Sequence, residues 1–375
     1  FKNMKNQQDV WLENLCLQGV QKEVFPGVAA GFAYRKTNNW QRRISTCGKV
    51  CNMREADYVK DGTYFDLASL TKPICTTLGI YHLISAGKIT LADSLISNLT
   101  QGGGCESITV QDLLSHASGL PAYRAYYRSF IPLTDIRNKK ILVSMILQEP
   151  LEIAPGEKQI YSDLGFILLG CLIEEVSGLS LDQFFHNVLI KPLGLENELF
   201  FLPLKTSGLH HEDNKKFFAA TELCPWRKRL ICGEVHDEHS WLMGGVAGHA
   251  GLFGRVEAVL TICELLVDIW HGRSSHPFIK NDIVKHGLSY RSPGGNWALG
   301  FDRPTPGRSS SGHLFSSESI GHLGFTGTSF WVDLQQERII VLLTNRVNPS
   351  RENKKIQEFR PYFHDRVMEK IEEMK

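Results

Sequence analysis

The chain has 375 residues, with 41 Lys and Arg against 40 Asp and Glu and an apolar content of 42%. That length accommodates one large two-lobed domain or two to three small ones, and the composition argues against disorder. The near-zero net charge, with no basic tract interleaved with aromatics, excludes nucleic acid as an expected partner, and the longest apolar runs, such as 339–343, are strand-sized and far short of a membrane span.

Taken in chain order, Leu12, Leu15, Cys16 and Val20 recur at helical spacing and predict an amphipathic helix. Pro26-Gly27 breaks it. The apolar run 28–34, a turn at Asn38-Asn39 and a second run through Ile44 then read as a β-hairpin. A helix is predicted from Ser69 to near Gly87. From about 91 to 285 the signals are mostly helical: Thr109 caps 110–114, and 144–147 and 164–176 are apolar-periodic. The longest loop, roughly 203–240, is rich in polar residues. After 285 the texture changes to strands, at 297–301, around 321–324, and in a hairpin of 330–334 and 339–344. Phe363, Val367, Ile371 and Met374 predict a closing helix. No internal repeat or low-complexity segment is evident.

Strands first and last, with helices between, predict an α+β fold. An antiparallel sheet is built from both termini and flanked by the terminal helices, and a helical domain is inserted into it. The expected division is 1–88 with 286–375 for the sheet lobe and 89–285 for the helical lobe, with the active site at their interface, where ligand sites concentrate.

Nine cysteines are scattered along the chain. Cys75, Cys171 and Cys263 fall in apolar helical patterns and read as core thiols. Cys47 with Cys51, or Cys224 with Cys232, could pair, but neither spacing fits a zinc pattern. This usage leans toward a reducing, cytoplasmic setting, with the periplasm as the alternative had an export signal been removed ahead of Phe1.

The segment 65–73 carries the sharpest chemical signal. On a helix Ser69 and Lys72 share a face, so the amine can reach the hydroxyl. A serine hydroxyl is a poor nucleophile until a neighbouring base takes its proton, and a helix N-terminus favours the anion that then develops. The second match to this spacing, Ser85 with Lys88, falls where Gly87 ends the helix, so its geometry fails. Tyr161-Ser162-Asp163 precedes an apolar helix. There Tyr161 could relay a proton and Asp163 hold a lysine or a substrate amide, unless Asp163 merely caps the helix and Tyr161 staples it to the core. In 321–329, Gly321, Gly324 and Gly327 allow close backbone approach to a ligand, and the Phe325 N–H could join that of Ser69 as an oxyanion donor; a bulge beside a surface histidine is the alternative.

Other candidates read less well. His236-Asp237-Glu238-His239 and His210-His211-Glu212-Asp213 lack the His-Glu-x-x-His spacing and are expected in a solvated loop, with His236 and Asp237 at most on a cleft rim. No metal or cofactor is therefore expected. Gly102-Gly103-Gly104 lacks the residues of a phosphate loop, and no Gly-x-Ser-x-Gly elbow occurs. His116 and Ser118 are expected to tie down a loop, and Arg346 to form a surface ion pair rather than meet a substrate carboxylate.

The three segments, in this order, resemble the serine β-lactamase and penicillin-binding-protein superfamily, in particular its class C β-lactamase-like branch, which also holds esterases and D-amino-acid peptidases. The stretches 113–121 and 244–253 are similar to further family segments. The resemblance covers nearly the whole chain and implies an acyl-enzyme hydrolase. Ser69 would be the nucleophile, Lys72 and Tyr161 would share the proton with pKa values lowered by burial and proximity, and Asp163, His322, Gly324 and Phe325 would contact substrate or oxyanion.

Two departures matter. Asp163 stands where the family pattern has Asn, and His322 where the third motif has Lys. Losing that ammonium weakens the case for anionic substrates by about 1–3 kcal/mol. The expectation is therefore a serine hydrolase acting on an ester or small amide. The alternatives are a β-lactamase or D,D-peptidase on cell-wall-type substrates, and a non-catalytic penicillin-binding sensor, against which intact Ser69, Lys72 and Tyr161 count. The expected partner is a small-molecule ester, amide or β-lactam; oligomeric state is left open.

Overall fold

A five-stranded sheet forms the backbone of the fold, in the order 39–48, 27–36, 338–344, 329–333, 320–323, every neighbouring pair antiparallel. The computed structural model describes residues 7–94, 107–131, 135–204, 217–292 and 295–374. The first two strands form the expected hairpin, and strand Gly27–Lys36 pairs directly with Arg338–Thr344 (Val28 opposite Thr344), so both ends of the chain meet in one sheet.

Alternation along these strands sorts two cores, because successive side chains point to opposite faces. Val28, Ala30, Phe32 and Tyr34, with Trp331, Ile340 and Leu342, pack under the terminal helices Gln7–Gln21 and Ile356–Met374. Ala29 and Ala33, with Phe330, Val332, Ile339, Val341 and Leu343, face the other way. Helix Val256–Trp270 covers that second face. A side chain at Gly31 would meet Leu260 and Val256 at 3.0 Å, so the missing Cβ lets this helix lie close against the sheet. The helix comes from the stretch assigned by sequence to the helical lobe, yet it packs on the sheet.

Several expected elements differ in detail. The helix beginning at Ser69 is not a plain α-helix: a 3₁₀ turn Ala68–Leu70 passes into a π turn Lys72–Thr77 and only then into α-helix Leu78–Ser85. Pro73 sits at the start of the widened turn, where its missing N–H removes a regular bond. The run 297–301 is not a strand. Gly300 takes φ +82°, and the N–H groups of Leu299 and Gly300 bond to the carbonyls of Gly287 and Leu114 rather than to a neighbouring strand. The loop 203–240, where described, holds a short ladder of Leu223–Cys224 with Arg229–Leu230, and the helix Glu238–Leu242 begins inside it. Thr109 does cap its helix, in a reciprocal box with Asp112. Cys75 and Cys263 are buried thiols. Among the described residues no single helix is long and apolar enough to cross a membrane. Gly102-Gly103-Gly104 and His210-His211-Glu212-Asp213 lie outside the described residues.

The layer under the terminal helices gives a direct stability test. Phe363 is fully buried there. Phe363→Ala is expected to lower unfolding free energy by about 3–5 kcal/mol, read as a drop in denaturant midpoint at unchanged slope.

Candidate active site

The Ser69 turn is held in shape by buried polar contacts. Ala68 has φ +48°, a left-handed conformation costly for a residue with a Cβ. Asp66 offsets that strain: its Oδ1 accepts from the Ala68 N–H at 2.8 Å and its Oδ2 from the His236 N–H at 2.7 Å. Thr71 Oγ1 donates to the Ala68 carbonyl at 2.6 Å. From the edge of the sheet, Thr326 Oγ1 donates to the Asp66 carbonyl (2.8 Å) and Thr328 Oγ1 to that of Leu67 (3.1 Å). Gly324 lies so close beneath this turn that a Cβ would fall 1.9 Å from Thr328 Oγ1 and 2.7 Å from the Leu67 carbonyl. The threonines and glycines of 324–328 thus bring the backbone of Phe325 beside Ser69. Asp66 carried no motif signal and was missed in the sequence.

Lys72 is fully buried. Its Nζ donates to Ser69 Oγ at 2.8 Å and to the His249 carbonyl at 3.2 Å, and pairs with Asp163 Oδ1 at 2.7 Å. The Tyr161 phenol is in hydrogen-bonding contact with both Lys72 and Ser69, and the ammonium lies 5.0 Å from the Tyr161 ring centre. Ser162, not Asp163, caps the helix Asp163–Ser177, its Oγ accepting from the Gly165 N–H. That leaves the Asp163 side chain, in the first turn, turned toward Lys72.

His116, itself at φ +58°, accepts from the Ser162 N–H at 3.1 Å through Nδ1. Its ring packs against Tyr161 and Trp297, both at 4.6 Å between centres. So His116 does tie down a loop, as expected, and the loop it ties down is the one that aims Tyr161. Trp297, read from sequence as a strand residue, lies against Tyr161 (5.4 Å) and His322 (5.5 Å) and lines the cleft.

The charge state differs from the expectation that Lys72 and Tyr161 are lowered. Burial pulls Lys72 down, but Asp163 and Tyr161 together carry its pKa above the ordinary lysine value. Burial pushes the Tyr161 phenol up, against the opposing pull of Lys72. The resting site is therefore an ammonium beside a neutral phenol. His322 is pushed down to about 3, by burial first and by Lys72 second, and is neutral. Its Nδ1 bonds to the Leu323 carbonyl (2.9 Å), leaving Nε2 as a buried acceptor without a partner. The family lysine's positive charge has no counterpart at this position.

The cleft, about 740 Å³, lies between the helical region and the last strand of the sheet, with Ser69, Tyr161, Asp163, His322, Gly324 and Phe325 on its walls. All seven residues singled out in the sequence converge at it or directly behind it. Arg346 is buried rather than a surface partner, spending its donors on the carbonyls of Phe325, Arg351 and Asn353. The segment 236–239 is not a solvated loop: His236 and His239 are buried, His236 bonding Glu222 and stacking on Phe325, while His236 and Asp237 line the cleft, as expected of a rim.

Geometry of this kind permits nucleophilic attack by Ser69 once the lysine can accept a proton. Asp163 raises the Lys72 pKa and so delays, toward higher pH, the appearance of the neutral amine. Asp163→Asn is expected to move the acidic limb of the kcat/KM profile downward by about 1–3 pH units, measured with a chromogenic ester. A limb that stays in place would show that Lys72 ionisation is not what it reports.

The Beta-lactamase family model matches residues 12–360. A protein of Salmonella typhi named "Putative D-alanyl-D-alanine carboxypeptidase" is 31% identical over 317 residues, covering 78% of this chain and 72% of that protein. Among solved structures, a class C β-lactamase mutant superposes with TM-score 0.71 at 16% identity over 98% of this chain and 99% of that one. EstCE1, "a hydrolase with promiscuous acyltransferase activity", does so with TM-score 0.68 at 20% identity over 95% and 99%. The chain belongs to the β-lactamase family, within the serine β-lactamase and penicillin-binding-protein superfamily, and is a serine hydrolase.

Proposed function

We propose that the protein hydrolyses neutral esters or small amides through an acyl-enzyme on Ser69. The observation that carries this reading is the contact of one hydroxyl with one amine and one phenol at the wall of an open cleft. Ser69 Oγ attacks the carbonyl carbon, and its proton passes into the Lys72–Tyr161 pair. Because Lys72 rests as an ammonium, it must first lose a proton to solvent, and Asp163, 2.7 Å away, opposes that loss, so the share of neutral amine that takes the Ser69 proton grows with pH. The tetrahedral oxyanion forms between the backbone N–H groups of Ser69 and Phe325. Collapse expels the alcohol or amine, which takes a proton from the relay. Water then attacks the acyl-enzyme, returns a proton to the relay and frees Ser69.

Neutral His322 is what favours uncharged substrates, since it offers an acceptor where a cation would attract a carboxylate. A second reading, hydrolysis of a carboxylate-bearing D,D-peptide or β-lactam, draws support from Arg346, Arg351 and Arg360 on the cleft wall beyond Phe325. Arg351 is already paired with Glu222 and Glu238, which blunts its pull.

A fluorophosphonate probe is expected to label the wild type and not Ser69→Ala; labelling of the alanine variant would relocate the nucleophile. Turnover of p-nitrophenyl butyrate without turnover of nitrocefin or a D-Ala-D-Ala peptide supports the ester reading, and the reverse pattern supports the second. His322→Lys is expected to raise kcat/KM for carboxylate-bearing substrates relative to neutral esters by about ten- to a hundredfold, the scale of one added charge-assisted hydrogen bond.

A further inference from the structure

Behind the cleft wall, three side chains that the hydrolytic steps do not use converge. One ligand atom from each of Asp237, His239 and His249 lies within 4.8 Å of the other two. Asp237 is the cap of the helix Glu238–Leu242, accepting from the Ser240 N–H at 2.7 Å, and its Oδ1 also meets His249 Nε2 at 2.7 Å. His239 is 1% exposed, and neither of its ring nitrogens has a hydrogen-bond partner; the Nδ1 of His249 is likewise buried and unpartnered. The rings of Tyr123, Tyr126 and Tyr127 surround His239 with centres at 5.3, 5.9 and 5.9 Å. An imidazole buried in this way with both nitrogens idle is unfavourable, and a cation taking its lone pair would relieve that.

We propose that Asp237, His239 and His249 bind a transition-metal dication, zinc foremost, at the edge of the substrate cleft. Two imidazole nitrogens and one carboxylate oxygen suit zinc better than magnesium or calcium, which favour all-oxygen shells. Three protein ligands leave a fourth position open, and Asp237 lines the cleft, which sets the site beside the substrate. The site also touches the catalytic lysine: the backbone carbonyl of His249 accepts from Lys72, so fixing the His249 ring fixes that carbonyl. The spacing of 236–239 gave no metal signal because the third ligand comes from the following loop, which only the fold brings back.

The full chain, stripped with a chelator and dialysed, is titrated with zinc against a chromophoric competitor, with metal content read by mass spectrometry. One zinc per chain is expected, with a zinc-dependent rise in Tm. His239→Gln, which removes no hydrogen bond, is expected to weaken zinc binding about tenfold or more and to abolish the Tm rise, as loss of a ligand must exceed the effect of losing a supporting contact. Asp237→Asn reads the same ligand set if His239→Gln does not fold. Ser69→Ala is expected to bind zinc like the wild type, so the result stands apart from the acyl-enzyme reading. A wild type that takes up no zinc at micromolar concentration, or ligand variants that bind as tightly as it does, would overturn the proposal.

Discussion

A fully buried ammonium at Lys72 organises this molecule. A charge removed from water must be met by partners of good geometry, and loss of one partner of a buried pair typically costs about 3–5 kcal/mol. Lys72 finds its partners in three separate parts of the chain: Ser69 one turn back, Asp163 at the start of a helix in the inserted region, and the carbonyl of His249 in the loop after Glu238–Leu242. Satisfying one amine therefore fixes how these segments sit together. The same partners hold the amine charged at rest, so the arrangement that stabilises the fold also keeps the neutral amine scarce.

A second constraint serves Ser69 itself. Ser69 follows a residue in left-handed conformation, which would relax if unsupported. Asp66, Thr71, Thr326 and Thr328 supply that support with hydrogen bonds to backbone groups of 66–68. Because two of them come from the turn that joins strands 320–323 and 329–333, the bonds that maintain the Ser69 turn also hold it beside Phe325. Positioning of the Ser69 hydroxyl and of the Ser69 and Phe325 backbone is one structural event.

Electrostatics divide the cleft. Near Ser69 the wall presents a neutral histidine, with a buried lysine behind it already matched by Asp163, while guanidinium groups stand on the wall beyond Phe325, one matched by two glutamates and another by carbonyls. Walls and loops rather than the framework select the substrate.

Much of this was legible in the sequence, and the reasons are local. Unbroken apolar runs at 28–34 and 339–343 marked the central strands, helical periodicity placed the terminal helices, and the Ser69–Lys72 and Tyr161–Asp163 spacings marked the site, because each depends on residues a few positions apart. The misreadings have the opposite character. The strand expected at 297–301 became a turn because its N–H groups bond to Leu114 and Gly287. The histidines of 236–239 looked solvated yet are covered by tyrosines and by Phe325. The charge of Lys72 was set by the number of acidic and phenolic neighbours that tertiary packing brought to it. Local spacing determined which groups this chain possesses and on which element; burial and long-range partners, which no window of sequence contains, decided their protonation, orientation and company.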